Sequence, residues 1–369
     1  MRAIKILVLF CLTSIIMGCS VQKNKEIAVT EVTKAPVNVI LLIGDGMGLS
    51  QISILHQEQD NLSAFSRFNH MGLINCSSSS HKITDSAAGA TAFASGVKSY
   101  NGAIGVNRDS LPVKTILEVL EERQYATGLV STSSITHATP AAFYAHTKSR
   151  NNENDIAIQL MASKVDYFAG GGKSFFRTLI NRSAESNWII DTMNYFQFPL
   201  EMNQEHRYGF LLSDEGLPKM SEGRGSFCTD ASRIAIDFLG KNHEGFFLMI
   251  EGSQIDWGGH AKDYGYVQAE MLDFNEVVNM VMDYAEKQKN TLVIVTSDHE
   301  TGGLALTVTQ KKDSTGKVYN DYDDITAAFS TGTHTAALIP VFAFGPGAEN
   351  FTGIYQNAEI YSRILKSVR

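Results

Sequence analysis

Short apolar runs alternate with longer amphipathic segments along most of this sequence, and this alternation constrains the fold more than any other feature. The short runs are typical of strands buried on both faces. The longer segments place apolar residues at helical spacing, as at Val267, Met271, Phe274, Val278 and Val281, which is typical of helices with one buried face. The pattern therefore predicts an α/β fold, with a mostly parallel central sheet and helices on both of its faces.

The region that holds the predicted elements contains no internal repeat and no stretch rich in Pro, Gly or Ser that would divide it into domains. We therefore predict a single domain with small insertions over 37–369, since about 330 residues are enough for one large core. Residues 150–225 are less regular, and we expect them to form an insertion. The predicted strands are 37–43, 125–132, 246–250, 291–296 and 339–344; the predicted helices are 113–123, 229–239, the segment around Val267–Val281, and a C-terminal helix carrying Ile360, Ile364 and Leu365.

The N-terminal segment, residues 1–19, resembles a bacterial lipoprotein signal. Arg2 and Lys5 precede an apolar run that is too short to span a bilayer. The run ends at Gly18-Cys19, which fits cleavage and lipidation at Cys19. A plain secretory signal with an incidental Cys19 is the alternative, and either interpretation predicts export to the periplasm or to an outer-membrane anchor. Residues 20–36 are polar and aperiodic, which predicts a tether.

The balance of charge argues against a nucleic-acid partner. The formal net charge is −8, and removal of Arg2 and Lys5 with the signal takes two positive charges away and leaves −10. Such a chain repels polyanions. Some of its carboxylates could instead bind metal ions. Cys76 and Cys228 remain after the signal and Cys19 are set aside, and the sequence does not settle whether they pair.

Three of the predicted strands end at residues that can bind metal ions. Asp45 follows the first strand, Glu251 follows strand 246–250, and Asp298-His299 follow strand 291–296. The carboxyl ends of parallel strands meet at one crevice, so we expect these side chains to lie together. One Asp beside Gly is usually a turn or cap residue, but three such strand ends favour a site. The glycines around Asp45 do not fit a dinucleotide-binding loop, because Leu49 stands where the third glycine is needed.

A second set of candidate ligands lies in the segment that follows Glu251. Asp256 and His260 are four residues apart, which places them on the same side of a helical turn. Nitrogen and oxygen ligands of this kind suit zinc. His334, flanked by small residues, is a candidate for the third ligand. For four of the ten histidines the sequence favours ordinary surface or core positions: His56, His70, His206 and His243.

The stretch Thr84–Ala92 combines an acid, a serine and a run of very small residues. Asp85 can cap a helix, whose first free N–H groups would then point toward Ser86 and an anion bound beside it. The small residues would let this helix pack close to a neighbouring backbone. The stretch alone fits a nucleophile at a helix start and an ordinary buried helix about equally well, so the metal ligands elsewhere must decide.

Together these motifs resemble the bacterial alkaline phosphatases along essentially the whole domain. The resemblance implies that family's α/β fold, hydrolysis of small phosphate monoesters at alkaline pH through a phosphoserine intermediate, release of inorganic phosphate and an alcohol, and a homodimer. The short chain is similar to compact exported members that lack a large crown insertion. The motifs that carry the resemblance are 40–48, 84–92, His137-Ala138-Thr139-Pro140, 251–260, Asp298-His299 and His334-Thr335.

The resemblance also implies a role for each motif residue. Ser86 would be the nucleophile, and Arg150 would clamp two phosphate oxygens with its guanidinium fork. Two zinc ions in such sites stabilise the attacking and leaving oxygens of an in-line displacement. The implied ligands are Asp256, His260 and His334 for one zinc; Asp45, Asp298 and His299 for the second zinc; and Asp45, Thr139 and Glu251 for a third site that usually holds magnesium.

Two positions depart from the best-known bacterial pattern. His137 stands where an Asp would lie near the magnesium site, and Trp257 stands where a Lys would help to hold phosphate. The nitrogen donor of His137, which we count among the candidate metal ligands, would let zinc or cobalt compete with magnesium at the third site. Trp257 would remove a positive charge from the pocket.

Other functions with similar sites remain as alternatives. A sulfatase needs a Cys/Ser-x-Pro-x-Arg sequence, and Ala88 stands where the Pro would be. A phosphodiesterase would less often need Arg150. A lipoprotein that binds metal or phosphate without turnover would bind phosphate stoichiometrically and release no alcohol.

Overall fold

A ten-stranded sheet runs through the centre of the structure, a computed structural model that describes residues 38–57, 63–181, 187–193 and 201–368. Its strands and four shorter or peripheral ones are β1 (Asn38–Gly44), β2 (His70–Asn75), β3 (Ala126–Ser134), β4 (Tyr167–Gly171), β5 (Trp188–Asp191), β6 (Arg207–Leu211), β7 (Phe246–Gly252), β8 (Thr291–Thr296), β9 (Glu300–Thr301), β10 (Leu304–Lys312), β11 (Val318–Phe329), β12 (His334–Thr335), β13 (Ile339–Phe344) and β14 (Gly353–Gln356).

Helices connect most of these strands. They are α1 (Leu49–Gln57), α2 (Ser86–Ser95), α3 (Ile116–Glu122), α4 (Ala138–Ala141), α5 (Glu153–Ala162), α6 (Lys173–Ile180), α7 (Phe227–Leu239), α8 (Gln254–Ala261), α9 (Tyr264–Gln288) and α10 (Glu359–Ser367). Within the described part of the chain, none of them is both long and apolar enough to cross a lipid bilayer.

The predicted α/β architecture is confirmed. The strand order is β14-β2-β13-β8-β1-β7-β3-β4-β6-β5, and β1 pairs in parallel with both β7 and β8. All residues of these three strands are buried. Alternate residues of β1 enter different cores: Leu41 packs in the cluster on one face of the sheet and Leu42 in the cluster on the other. The apolar run of β1 is continuous because helices cover both faces.

The sheet is not parallel throughout. β13 is antiparallel to both β8 and β2, while β14 is parallel to β2. The predicted strand 339–344 is therefore present but reversed in direction. Nothing in its apolar pattern distinguishes the two directions, because both leave a strand buried on both faces.

The predicted helices are present with small shifts at their ends. The segment predicted as 113–123 is helical only over α3, because Thr115 caps it: its hydroxyl accepts from the backbone N–H of Glu118, whose carboxylate accepts from the Thr115 N–H. This capping box fixes the first turn. α7 begins two residues before the predicted start, at Phe227.

The expectation that residues 150–225 form an insertion is wrong. β4, β6 and β5 lie in this region and continue the central sheet, with β4 pairing in parallel to β3. All three strands are short, and β4 and β6 contain glycine, which weakens the apolar signal. Gly171 shows why glycine is needed: a Cβ there would lie 1.9 Å from the carbonyl oxygen of Glu215.

A long hairpin, β10 and β11, is the segment that stands outside the sheet. Its two strands pair only with each other, and most of their side chains are exposed, including Tyr322 at 78%. At the start of β10, Leu304, Leu306 and Val308 alternate with Ala305, Thr307 and Thr309, and Leu304 and Leu306 pack against the core. β11 carries no such alternation, so the two strands do not stand out as a pair. The sequence pattern did not predict this hairpin.

The predicted signal, 1–19, and tether, 20–36, lie outside the described residues. Cys76 and Cys228 are both buried free thiols.

Candidate active site

The carboxyl ends of β8, β1 and β7 lie side by side, as predicted. Ile43 is opposite Glu251 on one neighbouring strand and opposite Thr296 on the other. Asp45 and Asp298 follow two residues later, so all three acids reach the same edge of the sheet. The turn after Asp45 requires glycine, because Gly46 has φ +74° and a Cβ there would lie 2.7 Å from the Asp256 backbone.

Two groups of three side chains gather at this edge. We call Asp256, His260 and His334 the first cluster, and Asp45, Asp298 and His299 the second cluster. In each cluster the candidate ligand atoms lie within 4.8 Å of one another. α8 carries Asp256 and His260 one turn apart, as the four-residue spacing predicts, and β12 supplies His334.

The first cluster presents only acceptor atoms to its centre. The Nδ1 atoms of His260 and His334 lie 2.9 Å from the carbonyl oxygens of Gly332 and Thr84. A carbonyl can only accept, so each Nδ1 carries the proton and each Nε2 has a free lone pair. These two Nε2 atoms are 3.2 Å apart, and they face Asp256 at 3.4 and 3.7 Å. Such lone pairs repel one another unless a cation lies between them, which fits zinc.

The second cluster is fully buried. Both carboxylate oxygens of Asp45 and the Oδ2 of Asp298 lack a hydrogen-bond partner among the described residues. Burial raises the pKa of Asp45 well above its ordinary value, and the charges of Asp298, Asp256 and Glu251 raise it further. A buried carboxylate without a partner is costly, and a bound divalent cation offsets that cost. These residues therefore also fit a metal ion.

A third group of oxygen atoms lies beside Asp45. Glu251 Oε1 and Thr139 Oγ1 have no hydrogen-bond partner among the described residues. The other carboxylate oxygen of Glu251 accepts from Ser131 at 2.5 Å. Burial raises the pKa of Glu251 to about 7, although the hydrogen bond from the Ser131 hydroxyl lowers it. Carboxylate and hydroxyl oxygens of this kind suit magnesium.

His137 contacts the residue that the sequence analysis assigned to phosphate. Its Nε2 lies 3.1 Å from Arg150 Nη2, and since a guanidinium only donates, this nitrogen accepts. Burial and the Arg150 charge lower the pKa of His137 to about 3, so the ring is neutral at pH 7. Its buried Nδ1 has no partner among the described residues. A metal-ligand role for His137 stays a prediction.

Ser86 is the first residue of α2, as predicted, and Asp85 is its N-cap. The Asp85 carboxylate accepts from the Ala88 N–H at 3.0 Å. The Ser86 hydroxyl lies 3.3 Å from His299 Nε2, which places it at the second cluster. Close packing by the small residues is confirmed at Gly89, where a Cβ would lie 3.0 Å from the Asp298 side chain.

Asp85 has a further contact that the sequence analysis did not find. While Oδ1 caps α2, Oδ2 accepts from Arg150 Nη1 at 3.2 Å and from the Gly102 N–H at 2.9 Å. Arg150 is thus held by Asp85 on one side and by His137 on the other. A cap uses one oxygen of a carboxylate, and the free second oxygen was the available signal for this role.

The two departures from the bacterial pattern are neighbours in space. The ring of Trp257, on α8, meets the ring of His137 edge-on with 6.2 Å between the centroids. On its other side Trp257 approaches Gly216, where a Cβ would lie 2.7 Å from the indole. Trp257 therefore forms an apolar wall next to the Arg150 and His137 pair.

Comparison with known proteins gives one consistent result. The family model described as alkaline phosphatase matches residues 36–315. Alkaline phosphatase 3 of Bacillus subtilis strain 168 is 33% identical over 90% of this chain and 89% of its own length. The structure of alkaline phosphatase from the Antarctic bacterium TAB5 is 48% identical, with a TM-score of 0.85 over 90% of this chain and 98% of that chain. A histidine-to-aspartate variant of the TAB5 protein, with Mg bound in its M3 site, gives a TM-score of 0.87 at 47% identity, with the same coverage of both chains.

The unpartnered carboxyl group of Asp45 leads to a testable prediction. In metal-free protein at pH 7, Asp45→Asn is expected to raise the free energy of unfolding by about 1–3 kcal/mol, because it removes a buried carboxyl group that is costly either to ionise or to protonate there. With saturating zinc the native protein should instead have the higher free energy of unfolding, because the variant has lost a zinc ligand. Urea denaturation with and without zinc measures both effects. The exposed Asp323→Asn serves as a control and should change neither value; a variant that is less stable than the native protein without metal would contradict the prediction.

Proposed function

Because this chain belongs to the alkaline phosphatase family and hydrolyses phosphate monoesters, we propose that its reaction passes through a phosphoserine formed on Ser86. The observation that carries this proposal is the 3.3 Å distance between Ser86 Oγ and His299 Nε2. It places a hydroxyl at a helix N-terminus, next to a cluster of metal-ligand type, where an anion is favoured. The products are inorganic phosphate and an alcohol, and the proposed working range is alkaline.

The chain's own groups suit the two displacements that such a reaction needs. In the first, Ser86 Oγ loses its proton and attacks phosphorus, the bond from phosphorus to the alcohol oxygen breaks, and the alcohol leaves after taking up a proton. In the second, water attacks the phosphoserine, and Ser86 Oγ leaves and regains a proton. The helix start contributes the free N–H groups of its first turn near the reacting anion.

Arg150 is proposed to bind two non-bridging phosphate oxygens. Asp85 and His137 contact its Nη1 and Nη2 groups, which orients the planar fork before substrate arrives. A fork held in this way loses little entropy when it binds phosphate. Asp85 is thus proposed to act through two partners, the start of α2 and Arg150.

The chain binds metal ions, as its family and its two clusters indicate, and we propose two zinc ions and one magnesium ion. The first cluster would hold one zinc and the second cluster the other. The third ion would lie at Asp45, Thr139 and Glu251, near His137, where zinc or cobalt could compete. The chemistry that bound zinc supplies at such sites is positive charge for the attacking and leaving oxygens.

The activity of a Ser86→Ala variant tests the nucleophile. We expect the rate with a chromogenic phosphate monoester to fall by about 10³-fold or more, as when other covalent nucleophiles are removed. The matched control is Ser95→Ala, at the other end of the same helix, where the buried hydroxyl donates to the Thr91 carbonyl and accepts from the Val97 N–H. An unchanged rate in Ser86→Ala would refute the assignment. A diester of the same alcohol, with metal analysis of the purified protein, tests the substrate class and the metal content.

Trp257 leads to a prediction about product inhibition. Trp257→Lys would add a positive charge beside Arg150, so we expect inorganic phosphate to inhibit the variant about tenfold more tightly, for an added interaction of about 1.4 kcal/mol. Trp257→Phe keeps an apolar ring and should resemble the native protein. Steady-state inhibition by phosphate measures the constants. Equal or tighter phosphate inhibition in the native protein than in Trp257→Lys would contradict the prediction.

We also propose that the protein is exported, lipidated at Cys19 and anchored to a membrane by a tether at 20–36. The basic start, the short apolar run and Gly18-Cys19 support this proposal. Fatty-acid labelling of the native protein and of Cys19→Ala tests it: label should disappear in the variant, which should still be exported, and label in both would refute lipidation at this residue. The proposed homodimer is measured by analytical ultracentrifugation.

A further inference from the structure

Thr301 connects the two clusters through one hydroxyl group. It lies on β9, two residues after His299, and is fully buried. Its Oγ1 is 2.5 Å from Asp256 Oδ1, in the first cluster, and 3.2 Å from His299 Nδ1, in the second cluster. Thr301 has no predicted role in the sequence, since a hydroxyl beside Asp298-His299 carries no ligand signal of its own.

The Thr301 hydroxyl has a single proton, and this determines which group donates in each of its two hydrogen bonds. An ionised carboxylate only accepts, so the single Thr301 proton goes to Asp256. The bond to His299 must then run the other way, with Nδ1–H donating to Oγ1. His299 Nε2 is left with its lone pair, and it faces Ser86 at 3.3 Å, Asp298 at 3.3 Å and Asp45 at 3.5 Å.

The other two cluster histidines obtain the same tautomer in a different way. His260 and His334 donate from Nδ1 to backbone carbonyl oxygens, which a substitution cannot remove. His299 donates to a side chain. Its ring orientation therefore depends on the identity of one residue, as is typical of the outer contacts that orient metal ligands.

Packing holds the Thr301 hydroxyl in place. Thr301 fits between two glycines: a Cβ at Gly46 would lie 2.9 Å from its Oγ1, and a Cβ at Gly259 would lie 3.0 Å from its Cβ and its methyl group. Its N–H donates to the Gly46 carbonyl, and Thr301 pairs directly with His334 across β9 and β12. A β-branched side chain enclosed in this way keeps one rotamer, so the hydroxyl keeps one direction.

We propose that Thr301 is a positioning residue that orients Asp256 and sets the tautomer of His299 at the same time, so that metal binding at both clusters depends on its hydroxyl. The inference rests on the proposed function in assigning zinc to the clusters. A Thr301 variant should therefore weaken both sites together, although Thr301 itself contacts no substrate.

Zinc affinity in Thr301→Val tests the inference, because valine keeps the shape and removes the hydroxyl. Starting from zinc-loaded full-length protein, competition with a chelator should show dissociation constants about 10–100-fold higher at both sites, the usual effect of removing such an outer contact. Thr301→Ser keeps the hydroxyl and should stay close to native. Thr296→Val is the matched control, since it removes a buried hydroxyl that donates only to the Pro340 carbonyl.

The tautomer gives a second readout that needs no activity. In full-length protein after zinc removal, ¹⁵N NMR of the imidazole should show His299 protonated at Nδ1 in the native protein and a mixture of both tautomers in Thr301→Val. A native His299 protonated at Nε2 would overturn the inference even if Thr301→Val failed to fold. Unchanged affinity at either site in Thr301→Val, or a Thr301→Ser variant as weak as Thr301→Val, would overturn it too. If the native protein held no zinc, the proposed assignment of zinc to the clusters would fail, and the native tautomer would still decide the role of Thr301.

Discussion

The concentration of buried negative charge at one edge of the sheet is the constraint on which the rest of this structure depends. Asp45 and Asp298 follow β1 and β8, and Glu251 lies near the end of the adjacent strand β7; all three carry an unpartnered oxygen atom at this edge. Carboxylates in such a place are stable only with cations beside them. The apolar strands behind them supply the stability that lets the fold tolerate this repulsion. Metal binding and folding are therefore linked in this protein, since cations that bind only the folded chain stabilise it.

The hydrogen bonds around the candidate ligands form a second requirement. Carboxylates accept from any direction around their two oxygens, but an imidazole must present the correct nitrogen. At His260 and His334 backbone carbonyls determine that nitrogen, and at His299 a threonine does. Arg150 is prepared in a similar way by Asp85 and His137. Much of the site is thus ordered by contacts between protein groups.

The sequence predicted the centre of the fold and the positions of the site better than the periphery. Strands such as β1 and β8 are continuous apolar runs buried on both faces, and the polar residue after each one marks the edge where ligands meet. The short strand β4 contains two glycines, and the mostly exposed strand β11 shows no alternation of apolar and polar residues, so neither strand was recognised. Contacts such as Thr301 with Asp256 join residues 45 positions apart through a single hydroxyl. The local sequence pattern contains no information about such long-range pairs. The end of a strand and the type of a candidate ligand, in contrast, can be predicted from residues that are neighbours in the sequence.

The short strands β9 and β12 pair with each other at the base of the β10–β11 hairpin. They lie between this hairpin and the candidate ligands His299 and His334. His334 is opposite Thr301 and Thr335 is opposite Glu300, and the Glu300 carboxylate accepts from the Thr335 hydroxyl and from Gln51 on α1. The chain thus leaves the site after β9, forms the hairpin and returns at β12, whose position is fixed by its pairing with β9. Loop length adds to the entropy of closure only slowly once the two ends are held together. The far end of the hairpin, residues 309–321, is consequently the part of this chain in which insertions, deletions and new surface chemistry can accumulate during evolution while the geometry between His299 and His334 is preserved.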